Sequence, residues 1–110
     1  MNLQINTEKG QELTTVYLSG EIDIYTAPQL KETMLPLVEQ AGHTVEVDLE
    51  NVEYMDSTGI GTFVSALKAS NINNSHLRLI NMQDRVYRLF SITGLDEIMD
   101  ISAVIRGGQE

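Results

Sequence analysis

The sequence predicts an α/β domain: a mixed, mostly parallel sheet with helices packed mainly on one face. Three observations carry this reading. Several short stretches alternate apolar with polar residues, the period of a strand with one wet face. Other stretches place apolar residues at helical spacing. The two kinds take turns along the chain, which implies parallel pairing through right-handed crossovers. At 110 residues and 42% apolar content the chain suits one globular domain with its own core. That domain spans residues 1–110, with 1–2 and 107–110 expected to fray.

The elements follow in order. Leu3 and Ile5 alternate with Gln4 and Asn6, which predicts a short first strand. Glu8-Lys9-Gly10-Gln11-Glu12 reads as a turn, and Val16 and Leu18 as the hairpin partner. Gly20–Tyr25 is expected to be a loop. Thr26-Ala27-Pro28-Gln29 opens a first helix with a capping-box pattern and an early proline. Leu30, Met34, Leu37 and Val38 mark its buried face. Pro36 removes the bond to the carbonyl of Glu32, so a kink or an early stop is expected there. Gly42 closes the element. Val45, Val47 and Leu49 alternate with Glu46, Asp48 and Glu50, a strand with one wet face. Leu77 and Leu79, flanked by His76 and Arg78, repeat the pattern. Asn81 is the expected cap of a third helix, with Val86, Leu89 and Phe90 inward. Gly94 ends that helix, with Leu95 as apolar partner beyond it. Ile98–Ile105 hold a last short element, a strand leading into a helical turn.

Composition excludes several function classes. Seven basic against sixteen acidic residues give a formal charge of −9. Such a chain repels nucleic acid and anionic lipid, so neither a nucleic-acid nor a membrane partner is expected. A basic protein surface is the more natural partner, unless the charge serves solubility alone. No apolar run approaches a membrane span, and the opening residues MNLQINTEKG lack a signal-peptide pattern. Cysteine is absent, which rules out disulfides and thiol catalysis and fits a reducing cytoplasm.

The most informative block is Asp56-Ser57-Thr58-Gly59-Ile60-Gly61, where a strand hands over to a helix. Ile60, Phe63, Val64 and Leu67 take the i, i+3, i+4, i+7 spacing of one buried face. Ser57 therefore reads as the N-cap, beside unpaired backbone N–H groups and the positive end of the helix dipole. A phosphate is tolerated at such a place without unfolding. Serine is also among the commonest structural caps, so the cap alone does not make a switch. Gly59 and Gly61 each cost the helix up to about 1 kcal/mol against alanine. Close packing on the sheet explains them, and so does a bare surface for another protein's backbone. Glu21 and Asp23 read either as loop solubilisers or as acid presented to a basic partner. Tyr54 and Met55 read as loop packing or as partner anchors. Functional loops gather at the carboxyl ends of strands in such sheets, so Gly20–Tyr25 and Glu53–Ser57 are expected on one edge.

Other chemistry is poorly supported. His43 and His76 lack ligand spacing and read as loop or surface histidines, so no metal site is expected. Ser57 lacks the Gly-x-Ser-x-Gly surround of a hydrolase, and no Gly-x-x-x-x-Gly-Lys loop is present. Asp23 and Asp56 suggest no substrate cleft. No catalytic residue and no cofactor are expected.

Gly20-Glu21-Ile22-Asp23, Thr26-Ala27-Pro28, Tyr54 through Gly61, Arg88-Leu89-Phe90 and Thr93-Gly94-Leu95, in this order and spacing, resemble the anti-sigma factor antagonists. These are stand-alone STAS domains of bacterial partner-switching systems. The resemblance covers residues 3–103 and is greatest to the general-stress type of the sigma-B pathway. It implies the STAS fold. It implies binding to an anti-sigma factor that is also a serine kinase, with release of the sigma factor. It implies phosphorylation of Ser57 by that kinase, which switches binding off, and reversal by a PP2C-type phosphatase. Glu21, Asp23, Tyr54, Met55, Asp56, Ser57, Thr58, Gly59 and Gly61 are the expected contact residues. A STAS domain that senses a small ligand or nucleotide is the alternative, disfavoured by the missing phosphate loop.

Overall fold

β1 (Leu3–Lys9) and β2 (Leu13–Ile22) form an antiparallel hairpin, and every later strand runs parallel to its neighbour. α1 (Ala27–Val38), β3 (Thr44–Met55), α2 (Ser57–Ile72), β4 (His76–Ile80), α3 (Asp84–Ile92), a 3-10 turn (Leu95–Glu97) and β5 (Asp100–Ser102) follow. The five strands stand side by side in chain order. The structure, a computed structural model, describes residues 2–102. Met1 and the expected tail 107–110 lie outside that range, as does the continuation of the last element past Ser102.

One face of the sheet is dry. Val16, Leu18, Val45, Val47, Leu49, Leu77 and Leu79 are buried on it. α1 covers them with Leu30, Met34, Leu37 and Val38, the face its spacing predicts. α3 adds Val86 and Phe90, and Phe90 meets Phe63 of α2 edge-on with ring centroids 5.9 Å apart. The other face is polar: Arg78 Nε donates to Glu46 (3.0 Å) and Asn81 Nδ2 to Asp48 (3.0 Å). The wet-face alternation of β3 and β4 is thus realised.

Several local expectations are corrected. β2 and β3 run further than their polar ends suggest, so the two expected loops shrink to Asp23–Thr26 and to Asp56. Gly20 makes this possible. Its φ of +118° lets β2 continue through a register shift, and a Cβ there would lie 2.2 Å from the Asn2 carbonyl oxygen. Glu21 N–H bonds that same carbonyl (2.8 Å), so Asn2 is tied down rather than frayed. α1 continues through Pro36 to Val38, because the proline falls in the last turn and both Pro36 and Glu32 are exposed, leaving the freed carbonyl to water. Gly42 does not cap α1. It lies past the C-cap Glu39 at φ +79°, and its N–H reaches the Asn74 carbonyl (2.9 Å). Asn81 does not cap α3: it sits at φ +57° and Gln83 precedes the helix. Gly94 does end α3, at φ +78°. His43 lies in the loop before β3, as one of the two expected readings has it, and not at the surface. It is buried, with Nε2 2.6 Å from Thr14 Oγ1.

The buried arc of α2 is also displaced. Gly59, Thr62, Phe63, Ala66 and Ser70 are its buried residues, whereas Ile60, Val64 and Leu67 are only partly covered. A helix with one neighbour hides one stripe. α2 packs along α1 on one side and meets α3 through Phe63, so small polar residues are enclosed as well.

β3 outruns β4. Their pairing stops at Asp48–Ile80, while β2 continues to pair with β3 as far as Ile22–Met55. The carboxyl ends of β2 and β3 therefore project together beyond β4.

Candidate functional site

Two aspartates close the ends of these projecting strands, and both do so in the same way. Asp23 Oδ1 accepts from the backbone N–H of Tyr25 (2.9 Å) and Thr26 (3.0 Å). Asp56 Oδ1 accepts from Thr58 N–H (2.9 Å) and Gly59 N–H (3.2 Å). Each carboxylate satisfies donors two and three residues on, at the start of α1 and α2 respectively. Asp56 N–H in turn bonds the Ile22 carbonyl (3.2 Å), which ties the two turns together. The expectation that both loops share one edge is realised.

The α1 turn departs from the expected capping box. Thr26 makes no side-chain cap to the helix. Its hydroxyl donates to the Glu21 carbonyl (2.8 Å) and accepts from Asp23 N–H (2.9 Å). Asp23 and Thr26 are both buried, so this is a closed polar knot. Burial opposes ionisation of Asp23. The hydrogen bonds from Thr26 and Tyr25 outweigh it and hold the carboxyl below its ordinary value.

At α2 the N-cap is Asp56, in extended conformation (φ −111°, ψ −171°), and Ser57 is the first helical residue. This corrects the assignment of Ser57 as cap. The cap role falls to the carboxylate one residue earlier, which accepts two N–H bonds. Ser57 is left exposed, and its hydroxyl makes no hydrogen bond to the described residues.

Two open depressions adjoin the start of α2, and the neighbours of Ser57 line them: Asp56 one, Thr58 the other. One is an acidic notch formed by Glu21, Asp23 and Asp56 with Ile24, Tyr25 and Tyr54. The other is a groove between the first turns of α1 and α2. Ile24, Ala27, Pro28 and Lys31 form one wall, and Thr58, Gly61, Thr62 and Ser65 the other. Both are open to solvent rather than enclosed.

The expected contact residues divide. Ser57, Thr58, Gly61 and Tyr54 are exposed, and Glu21 and Asp56 are half-buried at the notch. Asp23, Met55 and Gly59 are buried and do not form an open contact surface. Gly59 belongs to the packing reading: a Cβ there would come within 2.6 Å of Met55 Cγ and 2.8 Å of Ile22 Cγ2. Gly61 belongs to the other, because a Cβ there meets nothing within 4 Å. Sequence reasoning missed Ile24 (63% exposed) and Tyr25 (77% exposed). The signal was present: two large apolar residues follow a strand and match neither strand nor helix period.

Among the described residues no group of three or more His, Asp or Glu side chains is arranged to hold a metal. No helix is long and apolar enough to cross a membrane.

A five-stranded, mostly parallel sheet with helices on one face and an exposed serine opening the second helix defines a class. The model of the STAS domain matches residues 4–107, and the chain belongs to that family. Within it the chain is similar to the anti-sigma-B factor antagonist of Staphylococcus epidermidis, with 44% identity over 102 residues covering 93% of this chain and 94% of the relative. Proteins of that description are regulators that bind, not enzymes. The fold matches an anti-sigma factor antagonist of Mycobacterium paratuberculosis at TM-score 0.80 (23% identity, covering 91% of this chain and 85% of that one). It also matches the Bacillus cell fate determinant SpoIIAA in its phosphorylated form at TM-score 0.71 (20% identity, covering 91% and 92%). At these identities the two structures bear on fold alone.

Proposed function

We propose that this protein is an anti-sigma factor antagonist that binds an anti-sigma serine kinase while unphosphorylated and is released when that kinase phosphorylates Ser57. A PP2C-type phosphatase restores the binding form. The observation that carries the reading is the isolation of the Ser57 hydroxyl. It sits exposed at the first position of α2, flanked in the chain by Asp56 and Thr58, which line the two depressions, while Asp56 does the capping.

The energetics suit a switch. Phosphate adds about −1.5 to −2 charges. In the first turn of a helix the dipole contributes roughly 0.3–1 kcal/mol in its favour, so the fold is spared. Phosphoryl transfer requires the hydroxyl close to the nucleotide of the kinase, so Ser57 lies at the docking contact. There the dianion is desolvated beside the carboxylates of the acidic notch. Burying unpaired charge costs several kcal/mol, and each 1.4 kcal/mol is about tenfold in affinity. The interface term therefore exceeds the helix term, and a loss of about 100-fold or more follows without refolding.

Incubation with the cognate kinase and ATP, followed by mass spectrometry, tests the assignment. The phosphate is expected on Ser57, and Ser57→Ala should take none and stay bound. Phosphate on Thr58 instead, or full affinity in the phosphorylated form, would overturn the proposal.

A further inference from the structure

We propose that Lys31 determines partner specificity by meeting a carboxylate that the anti-sigma kinase presents to the groove between α1 and α2. This rests on the partner-switch reading above and adds a second, oppositely charged half to the docking surface.

The acidic notch and the α1–α2 groove share Ile24, which lines both. The residues that line the notch include Glu21, Asp56 and the buried Asp23, and no lysine, arginine or histidine. On the groove side Lys31 is the one charged side chain. The opposite wall offers it no counter-ion. Thr58, Gly61, Thr62 and Ser65 follow one helical stripe and carry only hydroxyls or nothing, and the Thr62 hydroxyl is already donated to the Thr58 carbonyl (3.1 Å). Lys31 is exposed and makes no ion pair or hydrogen bond with the described residues, in a chain of sixteen acids and seven bases. A lone cation in so acidic a molecule has many carboxylates to pair with, yet it points into a groove that contains none.

The docking face is thus electrically split along Ile24. A complementary partner places base over the notch, an apolar contact on Ile24 and acid over the groove. A partner with that order reversed meets like charge at both halves, which is how charge arrangement excludes wrong partners.

The test uses the full unphosphorylated chain, titrated calorimetrically against the kinase from the same organism. Lys31→Glu should lose about tenfold or more in affinity. Lys31→Met, which keeps the aliphatic stem, should lose less but measurably, with a native circular dichroism spectrum. Lys31→Arg should retain most of the affinity. Lys68→Glu makes the same change in net charge from an exposed position on α2 outside the groove, and should bind like the wild type. If Lys31→Glu binds no more weakly than Lys68→Glu, the role of Lys31 is overturned, including the case where Lys31 affects only the phosphorylated form. Ser57→Asp, run alongside, separates this from the broader reading. Loss of binding in Ser57→Asp with equal Lys31 and Lys68 variants removes Lys31 alone. A wild type that does not bind, or a Ser57→Asp that binds as well, removes the switch itself and the inference with it.

Discussion

The turns that open α1 and α2 are built on one plan and used for opposite ends. In each, an aspartate at the end of a projecting strand bonds the backbone N–H groups two and three residues later. In the first turn the aspartate is buried and locked to Thr26, and the residues between are Ile24 and Tyr25. In the second the aspartate is half-buried, and the residues after it are Ser57 and Thr58. The same local hydrogen-bond pattern thus presents two apolar side chains in one place and two hydroxyls in the other. The two turns differ in how far the aspartate is buried and in the side chains they expose beside it.

The largest effects should come from placing charge in each turn. Ser57→Asp is expected to lose about 100-fold in affinity for the kinase while keeping a native circular dichroism spectrum. Asp23→Lys should instead lose the cooperative unfolding transition, because it removes the acceptor of the buried knot. If Asp23→Lys stays folded and merely binds more weakly, the two turns are not different in kind.

Next comes the pair of glycines behind Ser57. Gly59→Val should destabilise by about 1–3 kcal/mol in urea denaturation, through collision with Met55 and Ile22. Gly61→Ala should stabilise by up to about 1 kcal/mol, since only helix propensity changes, and should weaken docking. Equal stability of the two variants would mean that α2 adjusts its distance from β2.

Removing each cap gives a smaller effect. Asp56→Ala should cost about 1 kcal/mol, the usual value of an N-cap. Asp23→Asn should show its loss in the pH profile. The folded-state pKa of Asp23 lies below its unfolded value, so its contribution is present above the ordinary carboxylate pKa and disappears as pH falls through the folded one. Urea midpoints measured from neutral to acid pH should fall for the wild type, and part of that fall should be missing in Asp23→Asn. Identical slopes would show that the knot gains nothing from ionisation.

The smallest effect is at the rim. Glu21→Lys should slow association with the kinase and reduce its dependence on salt, with little change in dissociation. Stopped-flow rates at several ionic strengths would measure it.

These comparisons also mark what the sequence made legible. The sheet, its wet face and the inward sides of α1 and α3 followed from periodicity, because each has one dry neighbour. The position of Ser57 at a helix start was legible to within one residue. Which side chain caps was not, since aspartate and serine are equally good caps and only extended geometry at Asp56 selects between them. The roles of Asp23 and Gly59 were hidden for different reasons. That of Gly59 depends on α2 lying against Ile22 and Met55, residues far from it or from each other in sequence, and that of Asp23 on a side-chain turn to Tyr25 and Thr26 that the capping-box reading of Thr26 obscured. The loops were drawn too long because Glu21, Glu53 and Tyr54 look like loop residues, although they belong to strands.

The overhang of β2 and β3 past the end of β4 has a practical consequence. Every second amide of β3 there faces away from β2 and has no neighbouring strand to guard it, so at those alternate positions within Asn51–Tyr54 proton exchange with solvent is expected to be quick in the free protein. A bound kinase would slow it, making these few backbone positions a built-in gauge of whether the docking edge is occupied.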